Sequence, residues 1–448
     1  MPLHISRILH AGYLFECDAV RIAFDTIFEN PFSRNCHACP RVRYDVEAIR
    51  RQRFDAVFIS HFHDDHCSLD SLDLLDRATP IYVYCLFDEL FDMVRALGFA
   101  NVQPLRIDEA VQVGSFTVTP RIAMDPDVDS MFQVEAAGMK VLNVVDSWID
   151  PDTLPALASH GPWDMVLWPF QTMREIEVLS PSRATPAPPA LPDEWIEQLR
   201  ALNPRHVVPS SCQFLQEPWS WYNHAFFPIA YRQFRKEVEV ALPKARVVRM
   251  NPGVTLRLDA DGVTPAPALG WVIPVGEQDL DYEYDPLLPP PSTGTIARHF
   301  PALDAAQAGR VFDYCSSGLL ERYRGMELPE DSYFEQPRIW RLSVFDHEGG
   351  GTHWHYRVQG DGIEPVAGDA APLAWTTEIP VAKLYAALEL GESLTSMYMR
   401  INDTRFDDGV EADLETAELV DDPLIRCLFN DVFGAYQAAQ LRRLKAIQ

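Results

Sequence analysis

Ile59-Ser60-His61-Phe62-His63-Asp64-Asp65-His66 places three of the chain's 13 histidines and two aspartates within six residues, directly behind a short apolar run. That run, Asp55–Ser60 (Asp-Ala-Val-Phe-Ile-Ser), has the composition of a buried strand. Imidazole and carboxylate are ligands for borderline divalent metals. In a tight loop at a strand end, His61 and His63 can face one way while Asp65 and His66 face the other, an arrangement that serves two metals held close together. The competing reading is a solvated polar loop, to which three clustered imidazoles are a poor fit.

Outward from this loop, short β-type runs alternate with helical ones. Tyr13–Cys17 and Arg21–Asp25 read as a hairpin around Asp18-Ala19. Leu69–Leu75 and Leu86–Leu97 have helical spacing, and Ile81–Tyr84, Phe116–Thr119 and Val141–Val145 are strand-like. This rhythm signals an α/β layered fold. The Pro/Ala/Ser-rich stretch Ser180–Pro192 reads as a surface insertion in preference to a linker. The better boundary is Pro286–Pro291, which predicts a first domain over 1–285 and a second over 292–448. In the second, Ile339–Val344 and Trp354–Val358 flank Gly349-Gly350-Gly351 as a hairpin, and Val381–Leu390 reads as a helix.

Composition narrows the function classes. The 448 residues carry 38 basic and 65 acidic side chains, a net charge of −27, with 47% hydrophobic residues. A core of ordinary size is affordable, and so acidic a surface argues against nucleic acid or a polybasic membrane anchor as partner. It leaves room for a small anionic substrate in a local positive site. No apolar stretch is long enough to span a bilayer, and the N-terminal residues lack the pattern of a secretory signal. Eight scattered cysteines fit a reduced cytosol, so a cytoplasmic location is expected.

His61-x-His63-x-Asp65-His66 behind an apolar strand resembles the metal-binding signature of the metallo-β-lactamase superfamily. The hairpin ending in Ile22-Ala23-Phe24-Asp25 resembles the family's opening hairpin, and Asn143-Val144-Val145-Asp146 its strand with a metal-bridging aspartate. The resemblance covers roughly residues 5–255. It implies a four-layer αβ/βα sandwich with two metals at one edge, here followed by a smaller C-terminal α+β domain. Two departures bear on the ligands. Residues 67–145 contain no histidine where most members supply one, and Asp125, in Ile122-Ala123-Met124-Asp125-Pro126-Asp127, is the stand-in. Serine follows Pro209 where the family's last histidine is expected; His206 sits too early, and His224 is the next candidate. The resemblance therefore implies His61, His63 and Asp125 on one metal, Asp65, His66 and His224 on the other, and Asp146 between them, with Asp65 and Asp146 in catalytic roles.

Exchanging an imidazole for a carboxylate shifts preference from zinc toward iron or manganese. The superfamily includes di-iron β-hydroxylases that act on carrier-bound amino acids, and a CMP-sialic-acid hydroxylase-like branch. These imply an oxygenase acting on a small or carrier-bound substrate. The chain lacks the Cys-x-His and Cys-x-x-His pairs of a Rieske cluster, so electrons would come from an external donor or from the substrate. The same residues with zinc or manganese would serve a hydrolase of an ester, lactone, amide or phosphodiester. A non-catalytic binding module is the third class. The altered ligand set puts the oxygenase first.

Other residues are weaker signals. Arg34, His37 and Trp221 are candidates for substrate contact. Cys36-His37-Ala38-Cys39 could be half a zinc knuckle or a redox pair, and Cys67 reads as a small side chain packed under the metal loop. His353 and His355 read as one face of an ordinary sheet, and the acidic run Asp403–Asp422 as solvated surface. Val381–Leu390 and its surroundings faintly resemble a sterol-carrier-like domain, which could cap the site, hold an apolar substrate or form a homodimer.

Overall fold

The computed structural model describes residues 2–326, 332–368, 372–415, 417–430 and 432–447. The chain divides into two compact units, one of residues 1–173, 187–285 and 440–448, the other of 174–186 and 286–439.

In the first unit the hairpin forms because Asp18 and Ala19 accept positive φ (52° and 66°), which a two-residue turn of matching twist requires. Gly12–Cys17 and Val20–Phe24 thereby pair antiparallel. Val20–Phe24 then pairs parallel with Ala56–Ile59, and that strand parallel with Ile81–Val83. The strand Leu3–Leu9, which the apolar patterning did not reveal, completes the other side and brings in Thr255–Asp259. An eight-stranded sheet results. A seven-stranded sheet is built around Ser130–Ala136, Met139–Asn143, Met165–Trp168 and His206–Pro209, the last three parallel.

One buried cluster draws on both sheets: Ile5, Phe15, Phe24 and Phe58 from the first, Val118, Phe132, Val141 and Leu167 from the second. Alternate residues on the outer faces, such as Leu14, Ala23, Val57, Leu142, Val166 and Val207, are fully buried too. Each sheet is therefore covered on both sides, as parallel strands require. The helices Asp88–Ala96, Leu154–His160, Asp193–Leu202 and Tyr231–Ala241 supply outer layers. This is the four-layer αβ/βα sandwich. Because the central strands of both sheets run parallel, their C-terminal ends and the loops that follow gather at one edge, where such folds build sites.

The second unit has a five-stranded sheet centred on Arg338–Phe345, flanked by Gly351–Gln359 and Trp375–Pro380. The expected helix is Val381–Leu390. Trp340, Tyr356 and Trp375 are buried on one of the sheet's faces. His353 lies on the opposite face with its Nδ1 2.9 Å from Ser343 Oγ. Residues 174–186 belong here although they precede the proline-rich boundary. Arg183 pairs with Glu411 and donates to the Asn402 carbonyl, and Ser182 N–H donates to Asp403. The acidic run is not simply solvated either. Asp422 is fully buried, accepts from Trp375 Nε1 and caps the helix Pro423–Phe429.

Candidate metal centre

The loop after Ala56–Ile59 is fixed by Asp25, the residue that follows the neighbouring strand. The Ser60 N–H and Oγ–H donate to the two Asp25 oxygens at 2.8 Å each. Asp25 Oδ2 also accepts from His66 Nδ1 at 3.1 Å. This keeps a proton on His66 Nδ1 and aims Nε2 into the site. Although burial opposes its charge, Asp146 and Asp65 raise the metal-free imidazole well above its usual value, so a metal would take the place of the Nε2 proton. Since the Ser60 hydroxyl gives its own proton to Asp25, it accepts from His61 Nδ1 at 2.9 Å, which leaves His61 Nε2 free.

Two groups of donor atoms assemble here, His61, His63 and Asp129 in one, His10, Asp65, His66 and Asp146 in the other. The His61 and His63 ring centroids are 4.5 Å apart, those of His61 and His66 3.9 Å, so the groups are neighbours. Asp146 Oδ2 lies 3.0 Å from His66 Nε2. Its loop leaves Met139–Asn143 through Val145 at φ 64°, a left-handed conformation that costs a β-branched residue energy and marks a position held for its side chains. Asp129 Oδ1 and Asp146 Oδ1 are buried without a hydrogen-bond partner. Buried carboxylate oxygens without a hydrogen-bond partner, gathered with imidazole nitrogens within 4.8 Å of one another, are a donor set that divalent ions complete, so the residues present fit two metal ions.

The electrostatics agree. Burial, reinforced by the charge of Asp146, pushes the Asp129 carboxyl up to about 7. Burial, with the neighbouring His66 and His63, holds His61 well below the usual imidazole value, hence neutral and available as a ligand. Asp146 goes the other way: burial opposes its charge, but His66 and His10 outweigh that and keep it ionised.

The structure brings together His61, His63, Asp65, His66 and Asp146, and corrects two positions. Asp125 is exposed and turns its Oδ1 to the Asp127 N–H, while Asp129 N–H bonds back to the Asp125 carbonyl at 2.8 Å. That single turn carries Asp129, not Asp125, to within 3.7 Å of His61 Nδ1. His224 sits in the short helix Tyr222–Ala225, with Nδ1 3.0 Å from the Glu283 carbonyl and outside both groups. The imidazole beside Asp65 and Asp146 is instead His10, from the turn between Leu3–Leu9 and Gly12–Cys17.

His10 was unreadable as a site residue because a lone histidine between two strands carries no spacing signal. A β-bulge between Arg7 and Leu9 and a φ of 50° at His10 swing its ring inward. Gly12 allows the turn to close, since a Cβ there would lie 2.5 Å from the Asp25 carbonyl oxygen. The buried Arg7 guanidinium holds the turn from behind by donating to the carbonyls of His10 and, at 2.9 Å, Pro209. The Cys212 N–H donates to His10 Nδ1 at 3.0 Å. With that lone pair engaged, a neutral His10 carries its proton on Nε2, 3.1 Å from Asp65 Oδ2. His10 is thus a donor toward the site rather than a ready ligand.

Two sheets packed over one core, with this loop and Asp146 at their common edge, decide the fold. The chain has the metallo-β-lactamase fold. No protein-family model and no curated protein matches the sequence. Solved metallo-β-lactamase-fold and related structures do resemble it. A metallo hydrolase from the archaeon Ignicoccus hospitalis is 19% identical over 58% of this chain and 99% of its own, with a TM-score of 0.42. A diiron β-hydroxylase from Streptomyces venezuelae is 18% identical over 57% of this chain and 54% of its own, at 0.41. A metallo-β-lactamase fold protein from Bacillus subtilis is 13% identical over 57% and 99%, at 0.37.

Of the other candidates, His37 is half-buried and lines two cavities. Arg34 is half-buried at φ 69°, and Trp221 is buried against Tyr222. Cys36 and Cys39 are buried thiols outside both metal groups. Burial raises both, Cys39 to about 11, which removes the thiolate a redox pair needs. Cys67 is fully buried and its thiol is likewise raised. Among the described residues no helix is long and apolar enough to cross a membrane.

Proposed function

We propose that the chain is a dinuclear metalloenzyme, and specifically a di-iron oxygenase that hydroxylates a small or carrier-bound substrate with electrons from an external donor. One observation carries the reading. The donor set carries three carboxylates, Asp65, Asp129 and Asp146, beside the imidazoles of His10, His61, His63 and His66. Replacing one imidazole by Asp129 makes the first group harder and more anionic, which favours iron over zinc.

His61, His63 and Asp129 would hold one ion and Asp65 and His66 the other, with Asp146 offering Oδ2 to the second group and its unpartnered Oδ1 to the first. When bound, a reduced iron pair supplies the electrons and the affinity for dioxygen that hydroxylation of a C–H bond requires. The protein's own part is positional. Asp25 orients His66 directly and His61 through Ser60. His10 keeps a proton on Nε2 at the edge of the second group, where it can be given to an oxygen atom of a bound reactant.

The test is elemental analysis and absorption spectroscopy of protein produced with iron, manganese and zinc all present, followed by turnover assays. About two irons per chain with an oxo-to-iron charge-transfer band, and consumption of dioxygen with a reductant, are expected. Two zinc or manganese ions without that band, with turnover of esters, lactones or phosphodiesters, would replace the oxygenase by a hydrolase. Absence of bound metal would leave a binding module.

A further inference from the structure

The chain is strongly acidic and so is its metal centre, yet one concave region of the first unit is not. His37 and Arg41 border two adjoining cavities of about 410 and 540 Å³. The larger is also lined by Arg43 and Tyr44, and no acidic residue lines it. Arg41 and Arg43 flank Val42 at one end of the strand Val42–Tyr44, which pairs antiparallel with Val272–Pro274. Arg43 lies in the strand and Arg41 directly precedes it, and both line the larger cavity. Both are exposed, and neither guanidinium has a hydrogen bond or ion pair among the described residues. In a chain with 65 carboxylates, two adjacent arginines without one are a local positive site in an otherwise negative field.

The smaller cavity is of a different kind. Leu215, Leu280 and Tyr282 give it apolar walls. Asp281 and Glu283 also border it. The Asp281 carboxylate is occupied by the Tyr231 and Arg232 N–H groups and the Arg232 side chain; the backbone carbonyl of Glu283 meets His224, and the exposed Glu283 side chain stands at the cavity's rim. A cationic chamber next to an apolar one matches a ligand with an anionic head and an apolar arm. Two guanidiniums lining one cavity balance a dianion, whereas a monoanion such as a carboxylate needs only one.

We propose that these adjoining cavities bind a phosphate monoester carried on an apolar arm, the phosphate between Arg41 and Arg43 with His37 beside it, and the arm over Leu215 and Leu280. None of the residues lining these cavities belongs to the two donor groups, and the proposal is independent of the metal's identity.

The test is calorimetric titration of the full chain with octyl phosphate, octanoate, octanol and inorganic phosphate. Octyl phosphate is expected to saturate one site and to bind more tightly than the other three. Combined Arg41→Ala and Arg43→Ala should weaken it at least about tenfold, since two charge-assisted contacts are lost. Leu280→Ser, which removes apolar wall without adding charge, should weaken octyl phosphate but spare inorganic phosphate. Metal content and melting temperature equal to the parent's would show that these variants fold, and the milder Arg43→Gln serves if the double variant does not. Octanoate binding as tightly as octyl phosphate, unchanged affinity in the arginine variants, or no saturable binding by the parent would each overturn the proposal.

Discussion

The two donor groups of the metal centre are built differently. The group of Asp65, His66 and Asp146 has two ionised carboxylates, and His66 is backed directly by the fully buried Asp25. The group of His61, His63 and Asp129 has one carboxylate that burial keeps protonated to about pH 7, and His63 is exposed. A divalent ion gains more Coulomb energy from two ionised carboxylates than from one. The second group should therefore fill first and hold its ion longer. The first should be the labile position, filled at higher pH.

The strongest way to break this comparison is at the residue offered to both groups. Asp146→Ala should reduce bound metal from about two ions per chain to nearly none, measured by elemental analysis, whereas retention of one tightly held ion would show that Asp146 serves only one group. Next, Asp129→Asn should lose one ion and keep the other, while Asp125→Asn should change neither stoichiometry nor spectrum. Loss of metal in the Asp125 variant would return the site to the ligand expected from sequence. Smaller again is His10→Ala. As a proton donor beside the ligands, it should keep both ions and lower turnover by about ten- to a hundredfold. Loss of an ion on His10→Ala would instead make His10 a ligand.

The subtlest test uses pH. An ordinary aspartate ionises near pH 4 in an unfolded chain, but Asp129 in the metal-free fold holds its proton to about 7. Between those values the folded state binds more protons than the unfolded one, so this group's contribution to stability falls as pH rises from about 4 to about 7, then levels off. A bound cation replaces the proton and removes the penalty. The rise in melting temperature on adding manganese should therefore grow across that window, and Asp129→Asn should flatten it. A metal-induced shift that is independent of pH would mean that Asp129 does not face the ion.

Much of this molecule was written locally. The loop His61–His66 sits behind a strand whose composition marks it as buried, so type, position and chemistry could all be read from one stretch. The hairpin at Asp18-Ala19 and the helix Val381–Leu390 were legible for the same reason, because turn chemistry and apolar period act over a few residues. Asp146 could be placed because it directly follows an apolar strand. Asp129 could not be told from Asp125, since three acidic residues in one turn look alike until the backbone shows which one faces His61.

His10 and the 174–186 segment lie beyond any local reading. The sequence alone determined the fold class, the central metal loop and the need for further ligands. Only tertiary structure decided which distant side chains complete the centre and which arginines are left without acids. The reason is physical: a ligand or an ion pair is defined by distances between atoms remote in sequence. The bulge at Arg7–Leu9, the Cys212 N–H on His10 and the turn at Asp125–Asp129 set those distances after the sheets have packed.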